Sequence, residues 1–124
     1  MRTVAKAALV TLAVSAAVAF TNPDGHLALT KSAPEKGAAV PSPVEIRLWF
    51  NQEIQLSVSR IDVQRGEQPL EIGKVQQTDD PKSFKAVVLE SLNGGSYVVQ
   101  WRSAGPDGHV IRGRYEFTVA GEVE

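Results

Sequence analysis

The segment Pro43–Phe50, PVEIRLWF, alternates between two kinds of side chain along its length. Its most apolar residues fall on one face, at positions Val44, Ile46, Leu48 and Phe50. Successive side chains of a β-strand point to opposite faces, so this period of two predicts a half-buried strand. Nearby prolines at positions 34, 41 and 43 are too closely spaced for helices. The first third of the folded domain is therefore expected to be extended.

Further extended segments follow the same logic, because they are rich in β-branched and aromatic residues. Together with the first segment they predict about seven strands, the others being Leu27–Ser32, Val58–Val63, Gln68–Gln76, Phe84–Leu89, Tyr97–Arg102 and Arg114–Val119. Turn signals such as Asn93-Gly94-Gly95 separate them. No window sustains helical spacing of apolar residues. The sequence therefore predicts an all-β, immunoglobulin-like Greek-key sandwich, without a disulfide because the chain has no cysteine.

The N-terminus has the features of a secretory signal. Arg2 and Lys6 supply positive charge, an apolar run of 14 residues spans Ala7–Phe20, and Ala17-Val18-Ala19 fits the small-x-small cleavage pattern. That run is short for a bilayer span, which needs about 20 apolar residues. We predict a signal peptide over residues 1–19, a short segment over 20–25 and a folded domain over 26–124.

The amino-acid composition of the chain argues against several classes of function. Lys and Arg number 13 against 14 Asp and Glu, a formal net charge of −1, which makes nucleic acid an unexpected partner. The absence of cysteine excludes thiolate catalysis, Cys-ligated zinc and iron–sulfur clusters. The only methionine is Met1, so soft sulfur ligands are missing as well.

Two histidines, His26 and His109, lie near opposite ends of the predicted domain. In a small sandwich the first strand and the last loops can meet. His109 falls in a loop between two predicted strands, and Asp107 lies two residues before it, so both can face one point. Gly108 between them allows a tight turn. Two imidazoles and a carboxylate suit a cation with nitrogen and oxygen ligands, Cu(II) ahead of zinc.

Longer motifs resemble the CopC/PcoC family of periplasmic copper-resistance proteins. The opening runs from His26 through KSAPEKGA and PVEIRLWF, and the ending G-S-Y-V-V-Q-W-R-S, D-G-H, G-R-Y-E-F-T-V is similar to the family's closing pattern. This resemblance covers nearly all of the chain after the signal. It implies a small Greek-key sandwich that binds Cu(II) and acts as a periplasmic copper carrier or buffer, often encoded with an inner-membrane copper transporter.

Carried over residue by residue, the resemblance implies Cu(II) ligation by His26, Asp107 and His109. In many family members the first histidine is itself the mature N-terminus and its amine also binds copper. Here the predicted cleavage leaves residues 20–25 ahead of His26, so an amine ligand is not expected. The family's methionine-rich Cu(I) site has no counterpart. We expect a monomer, with no enzyme activity.

Two alternatives remain open. A metal-free immunoglobulin-like module that docks on a membrane partner would tolerate replacement of Asp107 and His109. A histidine-brace copper monooxygenase is less favoured, because it needs the amine of an N-terminal histidine.

Some other residues receive ordinary interpretations: strand packing for Trp49 and Trp101, a solvated loop carboxylate for Glu53, and outward strand charges for Arg112 and Arg114.

Overall fold

The computed structural model describes residues 26–121 and, within them, nine β-strands and one 3₁₀ helix. The predicted signal and residues 20–25 lie outside this range. The strands are β1 Leu29–Ala33, β2 Ala39–Val40, β3 Glu45–Phe50, β4 Arg60–Arg65, β5 Gln68–Pro69, β6 Gln76–Gln77, β7 Ser83–Val87, β8 Gly95–Ala104 and β9 Val110–Val119, and the 3₁₀ helix is Leu56–Val58. No α-helix occurs among these residues, as the sequence pattern predicts.

Two sheets form the domain. One has the strand order β1-β3-β7-β6 and the other has the order β2-β9-β8-β4-β5. All neighbours pair antiparallel except β2 and β9, which are parallel. The chain passes from the first sheet to the second three times, between β1 and β2, between β3 and β4, and between β7 and β8. The predicted all-β sandwich is confirmed.

Aromatic side chains join the inner faces of the two sheets. Phe50 of β3 stacks on Phe84 of β7 with ring centroids 5.6 Å apart, and meets Trp101 of β8 edge-on at 5.3 Å. Phe50 thus contacts a ring from each sheet, in the geometries that aromatic pairs prefer. The predicted packing role of Trp101 is confirmed, since its side chain is buried. The core is further filled by Ile46, Leu48, Ile61, Val63, Tyr97, Val99 and Phe117.

Tyr115 places a hydroxyl in this core. The side chain is buried, and its oxygen makes no hydrogen bond within residues 26–121. Burial raises the pKa of Tyr115 to about 12, an effect that the neighbouring Ser32 hydroxyl only partly opposes. Ser32 therefore lies close to the phenol without completing a hydrogen bond.

The strand predictions differ from the structure at three places. Val44 was expected on the buried face, but it precedes β3 and is 76% exposed. The predicted strand Val58–Val63 begins two residues later, because Leu56–Val58 forms the 3₁₀ helix. The extended stretch Gln68–Gln76 divides between the sheets, its start forming β5 and its end reaching β6.

Within residues 26–121, the structure contains no helix with both the length and the apolar character needed to span a bilayer.

Candidate metal centre

The β8–β9 hairpin positions the loop that carries two of the predicted ligands. Its ladder is unbroken from Gly95 opposite Val119 to Ala104 opposite Val110, so the loop of residues 105–109 lies on a rigid base. Within the loop, the N–H of Gly108 donates to the carbonyl oxygen of Gly105 at 3.0 Å. Gly108 has a φ of +78°, a left-handed conformation that favours glycine. The turn needs the glycine that the sequence provides.

Asp107 orders the residue that follows the turn. Its Oδ1 accepts a hydrogen bond from the backbone N–H of His109 at 3.0 Å. This contact fixes the backbone of His109 relative to the carboxylate. A carboxylate has several lone pairs, so one accepted hydrogen bond leaves Asp107 able to receive another partner.

His26 reaches this loop from the start of the described chain. The ring centroids of His26 and His109 lie 5.1 Å apart, with an angle of 49° between the ring planes. Both residues are exposed. The structure thus brings together the two histidines, which lie near opposite ends of the domain in the sequence.

Leu27 and Asn51 hold the His26 segment in place. Leu27 is buried and packs against Gly105, where an added Cβ atom would lie 3.6 Å from the Leu27 Cβ atom. Asn51 follows β3 and accepts a hydrogen bond from the N–H of Ala28 on its Oδ1 at 2.9 Å, while its own N–H donates to the Ala28 oxygen at 3.1 Å. Its Nδ2 also donates to the carbonyl oxygen of His26 at 3.5 Å. Asn51 therefore aligns the backbone on which His26 is carried.

Gln55 holds the other side of the site. Its Nε2 donates to the carbonyl oxygen of Gly105 at 2.7 Å, and its backbone N–H donates to the carbonyl oxygen of Ala104 at 2.9 Å. Two buried serines support it. Ser59 Oγ donates its one hydrogen to the backbone carbonyl oxygen of Gln55 at 2.8 Å. In the 2.7 Å contact between the Ser59 and Ser103 hydroxyls, Ser103 is therefore the donor. This chain of hydrogen bonds links β8 and the end of the 3₁₀ helix to the loop.

Neither Asn51 nor Gln55 was predicted from the sequence. Glu53 lies between them and is exposed, as expected of a solvated loop carboxylate. Trp49 lies on the outer face of the first sheet, where Lys31 and Arg47 approach its ring centre at 4.7 Å and 4.6 Å. The one available signal was the position of Asn51 directly after β3, and such a position carries no indication of a distant partner.

Two of the three predicted ligands, His26 and His109, lie side by side, but the three do not form a ready-made cluster. The structure brings the two imidazoles together and places Asp107 two residues from His109. Among residues 26–121, however, no group of three or more His, Cys, Asp or Glu side chains is arranged to hold a metal ion. The Oδ1 atom of Asp107 is turned to the backbone N–H of His109.

Comparison with known proteins gives one consistent result. Residues 29–120 match the family model described as the CopC domain, a range that includes Asp107 and His109 and begins three residues after His26. Copper resistance protein C of Escherichia coli is 32% identical over 102 residues, covering 76% of this chain and 81% of that protein.

Solved structures agree with the sequence match. The crystal structure of PcoC, a methionine-rich copper resistance protein from Escherichia coli, has a TM-score of 0.71 at 33% identity, covering 77% of this chain and 99% of that one. CopC from Methylosinus trichosporium OB3b has a TM-score of 0.70 at 28% identity, with 80% and 98% covered. The chain belongs to the CopC domain family.

Proposed function

We propose that this domain binds one Cu(II) ion through His26, Asp107 and His109, and that it carries or buffers copper in the periplasm. The observation that carries the proposal is the 5.1 Å approach of two histidine rings from opposite ends of the domain. Neither ring is in the core, so this pairing does not fill space in the hydrophobic interior.

The ring separation fits a shared ion. With a metal–nitrogen bond of about 2.0 Å, the centroid of a ligating ring lies roughly 3.2 Å from the metal. Two centroids 5.1 Å apart then subtend an angle of about 105° at the ion. This value lies between the tetragonal and tetrahedral ideals, so the rings themselves accept either copper or zinc. The Irving–Williams order favours Cu(II), and a rotation of the Asp107 side chain would supply a carboxylate that offsets the charge of the ion.

The choice of Cu(II) over Cu(I) rests on the ligands that the chain offers. Cu(I) prefers soft thioether and thiolate sulfur, and the chain has no cysteine and only Met1. The similar PcoC protein is described as methionine-rich, so the two chains differ in this respect. A Cu(II) site of nitrogen and oxygen ligands is the one that this sequence can build.

The wider role follows from the family and from the N-terminus. The relatives named above are copper resistance proteins. The predicted signal over residues 1–19 supports export to the periplasm, where a monomeric carrier would exchange copper with an inner-membrane transporter. We propose a binding protein rather than an enzyme, because exchange of the ion needs ligands but no substrate face.

An EPR-monitored Cu(II) titration of the exported, naturally processed protein tests the proposal. We expect one saturable signal of nitrogen and oxygen type, lost in His109→Ala and weakened in His26→Ala and Asp107→Ala. Glu67→Ala is the matched control, since it removes an exposed carboxylate from the β4–β5 turn at the opposite end of the domain. A parallel Zn(II) competition measures the metal preference.

Copper binding that is indifferent to His109 would overturn the proposed site. Absence of stoichiometric binding would favour the metal-free docking module. Loss of the signal in Glu67→Ala as well would show that the titration reports general loss of folding or charge.

A further inference from the structure

The outer face of the five-stranded sheet carries a concentration of arginines. Arg60 of β4 pairs with Arg102 of β8, and Arg102 pairs in turn with Arg112 of β9. Three guanidinium side chains therefore lie in one row across three adjacent strands. Arg114 lies in the next row on the same face, opposite Gln100. All four arginines are exposed.

This arrangement works against the stability of the sheet. Like charges directly opposite each other on paired strands are destabilising. Asp62 is the acidic residue on these two rows, and it bonds to Arg60 at 2.8 Å and 3.3 Å. Within residues 26–121, no carboxylate lies within 4 Å of a side-chain nitrogen of Arg102, Arg112 or Arg114.

The concentration is also unusual for the chain as a whole, which carries a formal net charge of −1. Four arginines against Asp62 and, in the following row, Glu116 give this face an excess of positive charge that the rest of the chain more than offsets. A face that costs stability and departs from the overall charge is best explained by an anionic partner.

The shape of the face indicates the kind of partner. A shallow depression of about 220 Å³ is lined by Arg60, Arg102 and Arg112 together with Asp62, Gln100 and Trp101. Arg60 and Arg102 also line a second depression of about 850 Å³, which contains Lys74 and several apolar side chains. Positive groups thus continue over a length greater than one small anion would cover. The planar guanidinium fork matches carboxylates in a bidentate geometry.

We propose that this surface docks an extended acidic segment of a partner protein, with glutamate or aspartate side chains on Arg60, Arg102, Arg112 and Arg114. The surface lies close to the loop of the proposed metal site, so a docked partner could exchange copper with it. The Arg102–Arg112 pair is two residues along the ladder from Ala104–Val110, where the loop with Asp107 and His109 begins. At about 3.4 Å per residue, a docked segment would lie roughly 7 Å from that loop.

Fluorescence anisotropy with fluorescein-labelled octaglutamate tests docking on the copper-free full-length chain, independently of the proposed metal site. We expect saturable binding at low salt that weakens with ionic strength. The double variant Arg102→Gln/Arg112→Gln should bind about tenfold more weakly, because each exposed ion pair contributes up to about fivefold in affinity.

The matched control is Lys36→Gln/Lys82→Gln, which removes the same charge from exposed loop positions, one in the β1–β2 loop and one directly before β7. It should retain binding within about twofold. The arginine variant should also unfold at an equal or higher temperature, because it relieves repulsion between opposed charges.

Equal weakening in both double variants would overturn the proposal, because binding would then follow net charge alone. Binding of vesicles containing phosphatidylglycerol, with the same arginine dependence but without octaglutamate binding, would assign the surface to a membrane instead. A lower unfolding temperature in the arginine variant would show that these residues stabilise the sheet, which would also contradict the argument.

Discussion

Asn51→Ala should weaken copper binding without touching a ligand. The substitution removes the 2.9 Å hydrogen bond from Ala28 and the longer 3.5 Å contact with the carbonyl oxygen of His26, and it keeps the backbone bond to Ala28. A typical hydrogen bond contributes about 1 kcal/mol net, and the longer contact adds little. Ordering the His26 segment around an ion would then cost about 1 kcal/mol more, which lowers Cu(II) affinity about fivefold.

Competition titration against glycine measures the affinity, and urea denaturation measures the accompanying loss of about 1 kcal/mol in the free energy of unfolding. Asn93→Ala, in the turn at the opposite end of β8, is the control and should change neither quantity. The decisive measurement is a double-mutant cycle with His26→Ala, in which Asn51→Ala should have no further effect on copper affinity. If Asn51→Ala weakens binding equally with and without His26, the reasoning that Asn51 acts through His26 is refuted.

Other predictions concern the core. Gly113→Ala should destabilise the fold by about 1–3 kcal/mol, because the new Cβ atom would lie 2.6 Å from an indole atom of the buried Trp101. Gly121→Ala is the control and should be nearly neutral in the same urea titration, because its new Cβ atom would have no other atom within 4 Å. Tyr115→Phe should raise the free energy of unfolding at pH 7 by up to about 1 kcal/mol, because it removes a buried hydroxyl without a hydrogen-bond partner in the described chain; a loss of stability would contradict this. Because the pKa of Tyr115 is raised in the folded protein, the unfolded chain loses its phenol proton at a lower pH. The free energy of unfolding should therefore fall by about 2–3 kcal/mol between about pH 10 and pH 12. Tyr115→Phe should lack this part of the pH dependence.

Much of the fold could be predicted because strand periodicity is a local property. Each of the six strands of five or more residues overlaps a predicted segment, and β3 shows the expected burial of alternate residues. The strand β2, Ala39–Val40, has only two residues and cannot display a period. Val44 was misplaced because its side chain continues the apolar pattern while the ladder of β3 begins one residue later.

The residues of the candidate site also differ in whether they could be predicted from the sequence. His26, Asp107 and His109 could be predicted as ligands because the sequence has only two histidines and because the family motifs include all three residues, and this assignment stays a prediction. Asn51 and Gln55 act on backbone atoms 23 and 50 residues away in the sequence. Such contacts leave no local pattern in the sequence, because the sequence around an amide side chain is the same whether that side chain hydrogen-bonds to water or to a distant loop.

At the proposed site, the pairing of His26 with His109 would also link metal loading to completion of the fold. One ring precedes the first strand and the other precedes the last, so a nascent or partly folded chain cannot present both. An ion held between them would connect the two ends of the domain and stabilise the native state in proportion to RT ln(1 + [L]/Kd). At a free copper concentration 100 times Kd this amounts to about 2.7 kcal/mol. The loaded protein should therefore resist unfolding and proteolysis at its ends more than the empty one does, which makes copper itself a determinant of how long the protein persists.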